Sequence, residues 1–317
     1  MIDGFTIPQV YVRKPMHDKP QAAPVREFRL PSTRVLALAG RDAVAFAQAQ
    51  FMNDVAALDD GQWQWSGWLT AKGRLTALFA LLRLDAQTLW LLLPDADPAA
   101  LADALRRYVF RSKVVLSIPD IPAAARFDPP AAAAGNRFAR LDDARIALDM
   151  GGAGAARTLL LGPCDAVEDA DALARWNATD LVHGLPRLPP GQAGQWTPQQ
   201  LSLERLRAFS VSKGCYPGQE IVARTHFLGQ AKRGLALLEA DAPLAAGSEV
   251  YQDGQMIGSC VASAGLLALA VLPHAHAEGL QDAAGRRLRQ RPLVVRAGSQ
   301  FAAGRRGHGR DFRVGTV

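Results

Sequence analysis

The sequence lacks a continuous apolar run long enough to cross a bilayer. The best candidate, Leu75 to Leu93, is broken by Arg83 and Asp85. The pieces on either side fall short of the roughly 20 apolar residues that a spanning helix needs. The opening residues, MIDGFTIPQVYVRKPMHDKP, have prolines and mixed charges but no apolar segment of the secretory kind. Acids occur early there, which argues against an organelle transit peptide. The cytoplasm is therefore the expected compartment.

Cysteine is scarce. Cys164, Cys215 and Cys260 are odd in number and far apart, which argues against a disulfide framework. There is no CxxC, no HxxxH and no Cys/His cluster, so no self-contained metal site is expected. The one close histidine pair, His274 and His276, follows Pro273 and reads as a solvated loop.

What remains describes a globular protein. The chain has 317 residues, suited to two or three domains, and 49% of them are hydrophobic, enough for a sizeable core. The net charge of +6 is unevenly placed. Residues 286–317 hold nine Arg and one Asp, a net of +8, which leaves −2 for the rest. The Gly- and Arg-rich end, 298–317, reads as a basic flexible tail able to touch RNA weakly. The near-neutral body shows no interleaved basic and aromatic patch of the kind that nucleic-acid binders carry.

Residues 1–26 read as an extended leader, with structure starting near Phe28. Val35 to Leu38 read as a strand, and Asp42 as the N-cap of a helix through Phe51. Trp63, Trp65 and Trp68 lie in strand-like sequence. Two apolar runs separated by Asp85-Ala86-Gln87 predict a strand pair. Asp97-Pro98 starts a helix whose buried face is Leu101, Leu105 and Tyr108. Residues 112–119 and 158–161 read as strands, and 163–176 as a helix. Thr197-Pro198-Gln199-Gln200 is a capping box for a helix running to Ser210. Residues 229–297 alternate short strand-like runs and turns, the pattern of a small antiparallel barrel or sandwich.

One stretch, SKGCYPGQEIVARTHF (212–227), concentrates chemistry. Pro217-Gly218 makes a turn, and Gln219 to Arg224 has helix-forming composition. Cys215 then precedes a helix N-terminus with Lys213 close by in sequence, an arrangement that favours a thiolate. The residues alone leave three readings open: a working thiol, a metal ligand, or a small residue in a tight turn. Glu220 and Arg224 are spaced for an i,i+4 ion pair. No His/Asp partner for an acyl-transfer triad is visible in the stretch.

The motif Lys213-Gly214-Cys215-Tyr216-x-Gly218-Gln219-Glu220 resembles the signature of the YgfZ family, folate-binding relatives of the glycine-cleavage T-protein. Further matches are Gln50 to Val55, Ala71-Lys72-Gly73-Arg74, Arg107 to Lys113, Gly184-Leu185-Pro186 and Pro198-Gln199, so the likeness spans roughly residues 30–300. The resemblance implies an α+β fold: a GcvT-like ring of two α+β portions (27–228, with 67–122 inserted) plus a C-terminal β-barrel (229–297). It implies tetrahydrofolate or a derivative as cofactor and iron–sulfur client enzymes as partners, including tRNA-thiolating ones. It also implies a functional Cys215, a lysine at 213 that activates it, and Gln219 and Glu220 positioning a ligand. Trp176 matches an aromatic position that stacks on folate; the residue alone reads equally as a core helix position. Thr33 stands at the second such position. Val182 stands where relatives have a glutamate for the pterin edge, and Val accepts no hydrogen bond there. A folate-dependent aminomethyltransferase and an RNA-binding protein using its Arg tail are the alternative functions. A monomer without membrane attachment is expected.

Overall fold

The computed structural model describes residues 26–294, except 142, 143 and 230. The 298–317 tail and all but the last residue of the 1–26 leader lie outside the described residues.

The chain opens with β1 (Phe28–Arg29), β2 (Arg34–Ala39), α1 (Ala43–Gln50), β3 (Gln62–Leu69), β4 (Leu75–Asp85), β5 (Thr88–Leu93), α2 (Pro98–Arg106) and β6 (Val115–Ser117). It continues with β7 (Ala123–Arg126), β8 (Ala139–Arg140), β9 (Ile146–Asp149), β10 (Thr158–Leu161), α3 (Ala170–Val182) and α4 (Gln219–Leu228). The last strands are β11 (Arg233–Ala240), β12 (Glu249–Gln252), β13 (Gln255–Ala264), β14 (Leu267–Pro273), β15 (Gln281–Asp282) and β16 (Leu288–Arg291).

These strands form three antiparallel sheets, ordered β1-β7-β10-β9-β8, β3-β4-β5-β2-β6 and β15-β12-β13-β14-β11-β16. The architecture is α+β. The third sheet is curled with unpaired ends, a half-barrel rather than a closed barrel. Because β1 pairs with β7, the second sheet interrupts the first. The strands of the second sheet run from Arg34 to Ser117.

The continuous apolar run of β4 follows from burial on both faces. Side chains alternate along a strand. Leu78, Ala80 and Leu82 enter one core with Trp63, Trp65 and Trp176. Ala77, Phe79 and Leu81 enter a second core with α1 and α2. The first core also takes Val261 and Val271, so it ties the half-barrel to the rest.

Four local expectations change. Asp42 stands at the N-cap of α1 without a side-chain bond into it; its carboxylate accepts from the Lys113 amide at 2.6 Å instead. The helix expected over 163–176 begins only at Ala170, where Asp169 accepts from the Ala172 amide, and it runs on to Val182. Helix α2 stops at Arg106, so Tyr108 is half exposed instead of buried. The capping box at Thr197 forms reciprocally, Thr197 N–H to Gln200 Oε1 (3.0 Å) and Gln200 N–H to Thr197 Oγ1 (3.3 Å). No regular α-helix follows it. Ser202 and Arg207 adopt left-handed φ values of 48° and 49° around a short 3-10 turn. Tertiary bonds hold them there: Ser202 Oγ accepts from Leu235, and the Arg207 carbonyl accepts from Asn53. Left-handed backbone costs about 1–2 kcal/mol per non-glycine residue, which these contacts offset.

Candidate functional site

Cys215 is exposed, in an irregular turn three residues before Gly218, the N-cap of α4. Its neighbours are fixed firmly. Tyr216 is buried and donates its hydroxyl to the Ser210 carbonyl at 3.2 Å; burial pushes the phenol up to about 12. Gln219 donates its side-chain amide to the Lys213 carbonyl at 3.2 Å and its backbone N–H to the Tyr216 carbonyl at 3.1 Å. Gly218 has φ +80°, and a Cβ there would meet the Thr70 carbonyl at 2.6 Å and the Gly73 Cα at 2.8 Å. The turn Ala71 to Arg74 therefore packs directly on the cysteine loop. Glu220 is exposed and forms no ion pair with Arg224 among the described residues.

Lys213 is the residue expected to lower the pKa of the thiol. It is 5% exposed, and its ammonium donates to the carbonyls of Gln48, Phe51 and Asn53 at and beyond the end of α1. All three of its N–H donors are thereby engaged. The cation also lies 4.8 Å from the Tyr216 ring centroid. Burial lowers its pKa to about 8, against an opposing pull from the Asp54 carboxylate. The physical reason is competition. A helix C-terminus presents unsatisfied carbonyls with partial negative charge, and a buried ammonium is drawn to them.

The loop's upstream arm borders a cavity of about 490 Å³. Ser210, Val211 and Ser212 form one wall, and Trp63 and Trp65, two apart on β3, form another. Carboxylates of Asp54 and Asp149 and the side of Arg205 and Arg207 complete it. Asp149 is held by the Gly151 amide, which donates to Oδ1 at 2.9 Å. Asn53 clamps the wall from behind, donating to the carbonyls of Trp65 (2.8 Å) and Arg207 (2.7 Å). This size and mixed lining suit an organic cofactor with a flat apolar part and a few polar groups. Cys215 itself is not among the lining residues.

Trp176 is placed elsewhere. It is 3% exposed in the middle of α3. The Arg157 guanidinium covers it at 4.5 Å from the ring centroid, and Phe28 and Phe127 pack beside it. Arg157 is fully buried and pairs with Asp180 at 2.8 Å. Thr33 and Trp176 line a separate, small pocket of about 20 Å³. Val182 packs with Leu181, Leu237 and Leu293 instead of facing the cavity. Sequence reasoning missed Asp54, Trp63, Trp65, Asp149, Arg205 and Arg207. Two signals were available: Asp54 lies in the matched segment Gln50 to Val55, and alternation puts Trp63 and Trp65 on the same face of a strand.

No profile of a known protein family matches the chain. It is 27% identical over 226 residues to an uncharacterized protein of Haemophilus influenzae, covering 70% of this chain and 76% of that one. It is 30% identical over 251 residues to the tRNA-modifying protein YgfZ of Klebsiella pneumoniae, with the same coverage of 70% and 76%. The glycine cleavage system aminomethyltransferase T of Bartonella henselae superposes with a TM-score of 0.65 over 81% of each chain. At 18% identity that likeness speaks for the fold alone. The identity and coverage of the Klebsiella relative, together with this fold, show that the chain belongs to the YgfZ family.

Proposed function

We propose that this protein binds a reduced folate in the 490 Å³ cavity and serves iron–sulfur enzymes, including tRNA-thiolating ones, through the thiol of Cys215. The observation that carries the reading is continuity. The cavity wall Ser210 to Ser212 runs directly into the loop that presents Cys215. The lining fits the cofactor's chemistry. Asp149 and Asp54 offer acceptors for the donor edge of a pterin. Trp63 and Trp65 offer flat apolar surface, and Arg205 and Arg207 offer cations for the glutamate carboxylates. When bound, a reduced folate supplies a carrier for one-carbon units. The chain's own part is to orient the ring against Asp149 and to hold Cys215 at the surface. Gln219 and Gly218 fix the loop that carries the thiol, and Glu220 stands exposed beside it.

The test has two parts. Titration with 5-formyltetrahydrofolate should quench tryptophan fluorescence in the wild type. The quench should disappear in Ala57→Phe, where an exposed rim residue is enlarged, and weaken in Asp149→Asn. Unchanged affinity in both variants would move the site out of this cavity. In cells lacking the gene, Cys215→Ser should fail to restore iron–sulfur enzyme activity, and full restoration would remove the thiol from the reading.

A further inference from the structure

The stretch Arg106-Arg107-Tyr108-Val109-Phe110-Arg111-Ser112-Lys113 leaves the end of α2 as consecutive turns. Tyr108 N–H donates to the Leu105 carbonyl (2.9 Å), Val109 N–H to Arg106 (3.2 Å) and Ser112 N–H to Val109 (2.7 Å). Val109 anchors the stretch by packing against the core under α1 and α2. The Asp42 carboxylate anchors its far end at the Lys113 amide. The loop is thus held in shape, yet it exposes its aromatics. Phe110 is 90% exposed, the most exposed large apolar side chain among the described residues, and Tyr108 is 50% exposed.

Burial does not explain an aromatic at 90% exposure on a well-anchored turn. Its surroundings suggest a ligand. Arg111 lies over one face of the Phe110 ring at 5.5 Å, which leaves the other face open. Tyr108 is held edge-on by Trp68, ring centroids 5.9 Å apart at 83°. Four cations occur in the eight residues and no acid among them. Among the described residues only Arg106 is spent on an acid, Asp103. Open aromatic faces interleaved with unpaired guanidinium groups are what an unstacked base and its phosphates require. An acidic peptide would use the cations and leave Phe110 idle.

We propose that residues 106–113 form a contact loop for single-stranded nucleic acid, with a base stacked on Phe110 and phosphates held by Arg107, Arg111 and Lys113. The loop is coupled to the cysteine site through a short series of contacts. Tyr108 touches Trp68, Trp68 bridges to Phe51, and the Phe51 carbonyl accepts from Lys213. The sequence places RNA contact in the Arg-rich tail. This loop is a second candidate inside the folded body, visible only once α2 ends before Tyr108.

Fluorescence anisotropy of the full chain with short labelled single-stranded RNA, single-stranded DNA and duplex tests it. Binding of either single strand supports the proposal, and the tighter of the two identifies the ligand. Phe110→Ala should weaken single-strand binding by about five-fold or more, because base–aromatic stacking is worth about 1–3 kcal/mol per base. Phe110→Trp should restore it. Arg107→Gln with Arg111→Gln should flatten the slope of log affinity against log salt by roughly 1.4, or 0.7 per lost phosphate contact. None of these positions is buried, so thermal melts should be unchanged. Equal affinities for wild type and Phe110→Ala would overturn the proposal. So would absence of binding at low salt, or displacement by poly-glutamate that is equally effective before and after the Phe110 substitution.

Discussion

The ammonium of Lys213 donates to the carbonyl of Phe51, 162 residues earlier in the chain. This bond, with those to Gln48 and Asn53, moors the cysteine loop to the end of α1. Within the family's motif, the lysine in this protein is therefore an anchor. Its charge is bonded to carbonyls at the helix terminus.

Replacing the anchor should destabilise the protein and release the loop. Lys213→Met leaves three carbonyls without their donor and should cost about 2–4 kcal/mol, read by urea unfolding at neutral pH. The modification rate of Cys215 should change in the same variant. A stability loss under about 0.5 kcal/mol, within the range of ordinary surface substitutions, would contradict an anchoring role.

The same lysine carries a pH signature. Its folded pKa of about 8 lies below the 10.5 of an ordinary lysine, so between these values the unfolded chain holds more protons than the folded one. Stability then rises with pH across that window. The difference in unfolding free energy between wild type and Lys213→Met should grow in favour of the wild type from pH 8 toward pH 10. Tyr216 acts in the opposite sense, and only from pH 10 up to about 12, because its folded pKa is raised. Measurements below pH 10 separate the two, and a flat difference curve would refute the assignment.

Gly218→Ala should lower stability by about 2–4 kcal/mol, since its φ of +80° and the 2.6 Å approach to the Thr70 carbonyl both oppose a Cβ. Thermal unfolding reads it. Gly214→Ala is the control, because a Cβ there meets nothing within 4 Å and its φ is not left-handed.

The three cysteines should react in order of exposure. Cys215 is exposed, Cys164 half-buried and Cys260 buried, with burial raising the Cys260 thiol to about 11. A disulfide reagent should show one fast phase, abolished in Cys215→Ser, and should reach Cys260 only on unfolding. A fast phase that survives Cys215→Ser would contradict the placement.

Trp176→Ala should act on stability before it acts on any ligand. Truncating a buried Trp costs about 3–5 kcal/mol. Here it also uncovers the buried Arg157–Asp180 pair. Calorimetry should show a lower melting temperature without ligand. An unchanged melting temperature would indicate that the ring is free to leave the core and stack on a cofactor.

Much of the fold was legible from period and punctuation. The β4–β5 hairpin, the Asp97 cap of α2 and the strand-rich C-terminal third all follow from apolar runs and turn residues. These are local signals, and local backbone preference was enough. The glycine-bearing turn around Cys215 was legible for the same reason.

Tertiary structure decided the rest, wherever long-range bonds outweighed local ones. Thr197 closes its capping box, yet the helix fails because Asn53 and Leu235 claim the backbone and side chain further on. Asp42 turns from its own helix to Lys113. Lys213 and Cys215 are two apart in sequence, but the carbonyls at the end of α1 draw the ammonium inward while the thiol stays outside. The cavity is assembled from residues near 54, 64, 149 and 207, whose proximity no spacing encodes. The sequence determined by itself which family motif the chain carries and where it turns. Which partner each charged side chain meets was decided by packing, because a buried cation or carbonyl goes to the best available partner in space, however distant in sequence.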